Sequence, residues 1–321
     1  MTGRVLMTGA TGFLGGAVCR LLTRRGWQVT ATGRNETLGQ LLAQQGFPFR
    51  RASLEIPAGT MGICDGQDAV VHRAALSSPW GTRRKFQAAN VTATANALRA
   101  ATFARVKRFV RVSTPSVYFD FRHRLGLTED SPLAARPANA YAFTQLAAER
   151  LVLAASADGL PAIILHPRAT FGPGDTAILP RLLRAASKGR RPVIDNAAEA
   201  VACALDIPAG CDGQAFNITD GAPVVLWEFI AALFAQMDSP PPRCRILLHV
   251  ALALATGSKF FGRIIGREPA TTRNTVGNVG YSQTFDISKA RALLGYRPVV
   301  STAEGAGRLV ESLRRSRLPD A

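Results

Sequence analysis

The apolar run Arg4-Val-Leu-Met-Thr8 passes straight into Gly9-Ala10-Thr11-Gly12-Phe13-Leu14-Gly15. Helical spacing follows at Phe13, Leu14, Ala17, Val18, Leu21 and Leu22, and Gly26 stops it. Strand, glycine turn and helix in that order leave few folds open. Gly9 permits the tight turn, Gly12 lets the backbone approach a pyrophosphate, and Gly15 lets helix and strand pack closely. The N–H groups that open the helix have no partner within it, so they favour phosphate oxygens. Gly9, Thr11, Gly12, Phe13, Leu14 and Gly15 are therefore expected around a phosphorylated cofactor.

The same alternation continues down the chain. Residues 27–32 read as a strand ending at Gly33-Arg34, and Asp68-Ala-Val-Val-His72 as a buried strand. Residues 85–104 read as a helix, 108–112 as a strand, 138–155 as a helix and 162–165 as a strand. Strands alternating with helices of this length predict a parallel sheet covered on both faces. After residue 170 the character changes. Prolines punctuate the chain, and helical patterns appear at 178–188, 196–205, 225–236 and 287–294. The expected class is α/β. A doubly wound dinucleotide-binding domain occupies 1–170, and a smaller, mostly helical lobe 171–321. Residues 196–220 return to the first domain.

Composition narrows the partners. The 47% hydrophobic content excludes a disordered chain. Five cysteines sit apart (Cys19, Cys64, Cys203, Cys211, Cys244), with no metal or disulfide spacing, and a reduced cytoplasmic setting is expected. The four histidines share no ligand spacing, so no metal is expected. The formal charge is +17, and only five of the 39 basic residues are Lys. Those charges are dispersed in pairs such as Arg24-Arg25, not gathered in a stripe, which speaks against nucleic acid. No apolar run is long enough to span a membrane.

Further segments carry a resemblance: Asp68–Ala75, Asn90-Val-Thr-Ala-Thr94, Val112-Ser-Thr-Pro-Ser-Val-Tyr118, Tyr141-Ala-Phe-Thr144, Pro167–Asp175 and Phe285–Tyr296. Together with the glycine turn, whose spacing is G-x-x-G-x-x-G, they resemble the extended short-chain dehydrogenase/reductase family. It is also called the NAD-dependent epimerase/dehydratase group. The resemblance covers nearly the whole chain and implies a Rossmann sheet with a C-terminal substrate lobe. It is strongest toward the branch of 3β-hydroxysteroid dehydrogenases and 2-alkyl-3-oxoalkanoate reductases.

An acid after the second strand would suit the ribose hydroxyl of NAD, whereas an Arg suits the 2′-phosphate of NADP. This chain has Arg34 there and no acid before Glu36, so NADP(H) is favoured over NAD(H). By resemblance, Ser53 and Leu54 contact the adenine. Ala74 and Ala75 line the strand end near the nicotinamide, and Pro167 and Thr170 complete that end of the cofactor site.

Reduction of a ketone needs a proton donor for the developing alkoxide, and the reverse needs a base. The resemblance assigns that role to Tyr141, with Thr114 orienting the carbonyl and Ser113 and Phe171 beside the substrate. It also implies a Lys four residues after the Tyr, where i and i+4 share a helix face. That Lys lowers the Tyr pKa and holds the nicotinamide ribose. Position 145 is Gln, which can hydrogen-bond a ribose but carries no charge. Arg111 and Arg168 are nearby cations that sequence alone does not place. The family's substrate-side strand and loop between the counterparts of Ile194 and Asp195 are also absent.

Three readings follow. The first is an oxidoreductase of a hydrophobic secondary alcohol or ketone, using Thr114, Tyr141 and Gln145. The second is a nucleotide-sugar epimerase or reductase, disfavoured by the apolar stretch Ile246–Ala255. The third is a cofactor-binding pseudoenzyme or redox sensor, or a disabled variant, for which Gln145 is the argument. Residues 246–267 join that apolar stretch to Lys259, Arg263 and Arg267, a pattern that suits peripheral membrane contact or an acyl-chain entrance. The resemblance further implies a homodimer built on the helices at 85–104 and 138–155.

Overall fold

The computed structural model describes residues 3–78, 80–168, 170–172, 193–208, 210–237, 240, 246–265 and 271–317. The helix expected at 178–188, with Pro173, Asp175, Cys244 and Arg267, lies outside the described residues. So do the side chains of Lys259, Phe260, Phe261, Arg263, Ile264 and Ile265.

Seven parallel strands form the main sheet, in the order β3-β2-β1-β4-β5-β7-β8. They are β1 Arg4–Thr8, β2 Gln28–Gly33, β3 Phe49–Arg51, β4 Ala69–His72, β5 Arg108–Val112, β7 Ala162–Pro167 and β8 Gln214–Ile218. The central strands are buried along their full length, as a sheet covered on both faces requires. Helices α1 Phe13–Arg24 and α2 Glu36–Gln44 follow β1 and β2. A helical run then comprises α3 Arg83–Phe86, a π-helical turn Gln87–Thr92 and α4 Ala93–Phe103. α5 Ala140–Ala157 connects β5 to β7, and α6 Ile194–Asp206 packs against α1. Thus residues 194–218 supply a helix and the last strand to the Rossmann-like sheet. Ile194 and Asp195 stand together in the first turn of α6.

Beyond the sheet lie α7 Leu226–Gln236, α8 Leu248–Ile265, α9 Arg273–Gly280, α10 Ser288–Leu293 and α11 Thr302–Arg317. β6 Arg124–Leu127 and β9 Gln283–Phe285 make a separate parallel pair. Among the described residues, no helix is long and apolar enough to cross a membrane.

β1 pairs with β2 on one side and β4 on the other. The chain therefore leaves these neighbouring strands toward opposite flanks, and a crevice opens at their carboxyl ends.

Candidate active site

The glycine turn shapes that crevice. Gly9 has φ of 70°, the left-handed region that glycine enters freely. A Cβ on Gly15 would lie 2.2 Å from the Gly9 carbonyl oxygen, so only glycine permits this approach. Gly12 caps α1 without a side-chain hydrogen bond, and no acid occupies the first helical turn. The amides opening α1 are thus left for an anionic group. A cleft of about 240 Å³ lies over the turn, lined by Gly9, Thr11, Gly12, Arg34, Leu54, Ala74 and Ala75, and also by Glu55 and Arg73. These residues fit a dinucleotide: amides at the phosphates, an apolar slot at the base and an Arg at the ribose.

Two expected residues lie back from the cleft. Leu14 and Gly15 are buried in the core behind the turn. Phe13 packs partly buried against that core, and Ser53 is half-buried beside the slot. Pro167 ends β7, and Thr170 lies just beyond it. Arg34 is paired with Glu55 at 2.7 Å, both in reach of solvent.

The crevice floor is a polar chain. Thr8 Oγ1 accepts the Arg73 and Ala74 amides at 3.1 Å each and lies 2.9 Å from His72 Nδ1. His72 Nε2 meets Thr94 Oγ1 at 3.0 Å, and Thr94 donates to the Asn90 carbonyl at 2.6 Å. One neutral tautomer satisfies all of these contacts, with Thr8 donating to Nδ1 and Nε2 carrying the proton. Burial holds His72 well below its ordinary value of 6.5, and the Arg111 charge pushes the same way.

Asn90 also fixes α5. Its Oδ1 accepts the Leu76 amide at 2.7 Å, and its Nδ2 donates to Thr144 Oγ1 at 2.9 Å. Asn139 caps the helix by accepting the Ala142 amide at 2.7 Å. Tyr141 therefore sits in a first turn held at two points, half-buried and one turn ahead of Gln145. Thr114 caps the 3₁₀ turn Pro115–Tyr118, which packs on α5. Its Oγ1 accepts the Ser116 amide at 3.2 Å and donates to Ser116 Oγ at 3.0 Å.

Two of the expected substrate residues differ. Ser113 faces α5 and gives its hydroxyl to Glu149, because it lies two residues beyond Arg111 on the same strand face. Glu149 also meets His166 Nε2 at 3.0 Å in a buried cluster. Phe171 is enclosed by the lobe's own core and makes an edge contact with Phe229 at 5.5 Å. Both side chains are taken up by packing.

The two cations left unplaced by the sequence separate. Arg168 donates to Gln283 and lies over the Phe285 ring at 5.4 Å. Arg111 is completely buried and donates from Nη2 to Gln145 Oε1 at 2.6 Å. Burial lowers its pKa to about 10, against the opposing influence of Tyr141 and Glu149. Sequence reasoning passed over Arg73. Burial lowers that guanidinium too, opposed by Tyr141. The signal was present in the basic residue between His72 and Ala74, at a strand end where the chain enters the crevice.

Residues 5–218 match the NAD dependent epimerase/dehydratase family, and the chain belongs to it. It is 33% identical over 328 residues to the 2-alkyl-3-oxoalkanoate reductase of Stenotrophomonas maltophilia (strain K279a), covering 96% of this chain and 99% of that one. It is 30% identical over 301 residues to 3beta-hydroxysteroid-dehydrogenase/decarboxylase isoform 1 of Arabidopsis thaliana, covering 86% and 69%. Among solved structures, the UDP-glucuronic acid 4-epimerase of Bacillus cereus shares the fold. Its TM-score is 0.76 at 21% identity, over 98% of this chain and 99% of that one. The chain is an oxidoreductase of this family.

Proposed function

We propose that the chain is an NADP(H)-dependent oxidoreductase that interconverts a hydrophobic secondary alcohol and its ketone. The substrate is of the long-chain 3-oxo/3-hydroxy acid or 3β-hydroxysteroid type. The observation that carries this reading is Tyr141, half-buried in the first turn of α5, which Asn139 and Asn90 hold in place. Sequence likeness to a 2-alkyl-3-oxoalkanoate reductase and a 3β-hydroxysteroid dehydrogenase supports the substrate class.

The bound nicotinamide supplies or receives the hydride. Tyr141 Oη gives the proton to the forming alkoxide, or takes it in reverse. Thr114 orients the oxygen. Gln145 has its Oε1 engaged by Arg111, so its amide Nε2 is the group left to donate to a ribose hydroxyl. At the other end, Arg34, now paired with Glu55, would hold a 2′-phosphate by a charge-assisted contact that NAD(H) lacks.

The lobe supports an apolar ligand. Leu247, just ahead of α8, and Val250 and Leu254 in its first turns follow helical spacing, and all three are exposed. This is where an acyl chain, or the surface of a membrane, would meet the protein. Phe103 and Leu153, exposed on α4 and α5, support a homodimer through those helices.

The test follows NADPH oxidation with a long-chain 2-alkyl-3-oxo acid and a 3-oxosteroid, with UDP-glucuronic acid as contrast. We expect turnover of at least one ketone. Tyr141→Phe should reduce it ~100-fold or more. Arg34→Ala should raise KM for NADPH roughly ten-fold while sparing NADH. Cofactor binding without turnover, or conversion of the nucleotide sugar alone, overturns the proposal.

A further inference from the structure

We infer that Arg111 is the positioning residue that supplies positive charge to the proton-transfer site, acting from β5 through and beside Gln145. This deepens the reading above and rests on Tyr141 being the proton donor.

Arg111, on β5, and Ser113, one residue past the strand's end, lie two apart in extended backbone and so share a face. Gln145 and Glu149 lie four apart on α5 and share a face. The two faces meet: Arg111 donates to Gln145 at 2.6 Å, and Ser113 donates to Glu149. Tyr141 stands one turn before Gln145 on the same face. A tyrosine that exchanges protons near neutrality needs a cation beside it to favour the phenolate. Position 145 cannot supply one. Arg111 can, because its guanidinium is fully buried and weakly screened.

The pairing also explains why position 145 is neutral. A Lys at 145 would bring an ammonium to the place where a buried guanidinium already points. An amide accepts from Arg111 through Oε1 and still donates through Nε2. Arg111 only donates, so chemistry fixes which way the Gln145 amide faces. The Nε and Nη1 groups of Arg111 have no hydrogen-bond partner among the described residues. Among the described residues no carboxylate is hydrogen-bonded to the guanidinium, and Glu149 acts on it without direct pairing.

The other charged groups around Tyr141 have separate assignments. His72, on β4, is neutral. Glu149, on α5 itself, is engaged by Ser113 and His166. Arg73 comes from the end of β4, and its Nη1 lies 3.4 Å from where a Gly12 Cβ would be, which directs it to the phosphate end of the cleft.

The test uses the full chain with Arg111→Met, Arg111→Gln, Arg111→Lys and Arg73→Met. One readout needs neither cofactor nor substrate: ultraviolet titration of tyrosinate, with the Tyr141 signal isolated by subtracting Tyr141→Phe. In either neutral Arg111 variant, that signal should appear about one pH unit or more higher than in the parent. Arg111→Lys should restore most of the difference. Whichever neutral variant folds carries the measurement. In turnover, the limb of the pH–rate profile set by the proton donor should move the same way. The rate at neutral pH should fall roughly ten-fold or more. An unchanged titration in a folded neutral variant overturns the inference, as does a shift produced by Arg73→Met alone. A shifted titration in a chain that turns over no ketone leaves the inference standing and removes only the substrate reading.

Discussion

His72 shows how one buried side chain makes the nucleotide crevice sensitive to acid. It is neutral in the folded chain, between Thr8 and Thr94, and takes a proton readily once unfolded. The folded pKa lies below the unfolded one. Its contribution to stability is therefore complete above about pH 6.5 and lost as the pH falls below that value. The slope approaches about 1.4 kcal/mol per pH unit for this group alone. His166 runs the opposite way. Burial opposes its charge, but the attraction of Glu149 and hydrogen bonding win, so its pKa is raised. Its stabilisation is present below pH 6.5 and is lost as the pH rises through that raised value. The two act on opposite sides of about pH 6.5, His72 on the acid side and His166 above it, so a His72 variant isolates the acid limb. Urea midpoints for the parent and His72→Gln should converge as the pH drops from 7 toward 5. Curves that stay parallel would show that His72 accepts its proton while folded.

At the scale of elements, Asn196 ties the C-terminal segment to the sheet. It is fully buried near the start of α6. Its Oδ1 accepts the amides of Val299 and Val300 at 2.7 and 2.9 Å, and its Nδ2 donates to the Val300 carbonyl at 2.7 Å and to Asp220 at 2.6 Å. Asp220 in turn accepts the Val193 amide and the Thr302 hydroxyl. Asn196→Ala strands the buried Val300 amide, removes partners from Val299 and Asp220, and should cost about 3 kcal/mol, read as a lower denaturant midpoint. A loss under about 0.5 kcal/mol would mean the segment relaxes to other partners. No local pattern announces such a clamp, because its partners lie 24 and 104 residues away. Elements with their own periodicity were legible. The first helix, the strands at 68–72 and 108–112, and the helices near 138–155 and 196–205 all agree with the structure to within a few residues. The short β3, β6 and β9 were not, since three or four residues show no period and owe their conformation to a neighbour. The apolar stretch after 246 extends as α8 to Ile265, well past its apolar part. At the site, the glycine cradle was legible because strand, turn and helix are contiguous. The pairing of Arg111 with Gln145 was not, because it joins two elements 34 residues apart.

Over the whole molecule, charge and crevice act together. The net charge is +17, and Arg34 and Arg73 line the nucleotide cleft with Glu55 as the acidic member of that lining. A positive molecule with cations along a concave wall draws in an anionic dinucleotide before contact. The field is screened over about 10 Å at 0.1 M salt, so the encounter should be more salt-sensitive than the docked complex. Stopped-flow association of NADPH should slow roughly ten-fold or more between 0.02 and 0.3 M salt, with dissociation changing less. NADH carries less negative charge and has no phosphate for Arg34, so its slope should be shallower. Arg34→Ala should bring the NADPH slope toward that of NADH if Arg34 is the proposed partner of the 2′-phosphate, since it removes that one charge and leaves sixteen net charges in place. If both cofactors associate at rates independent of salt, the surface charge is decoupled from the cleft. The proposed preference for NADP(H) would then have to come from contacts made after docking.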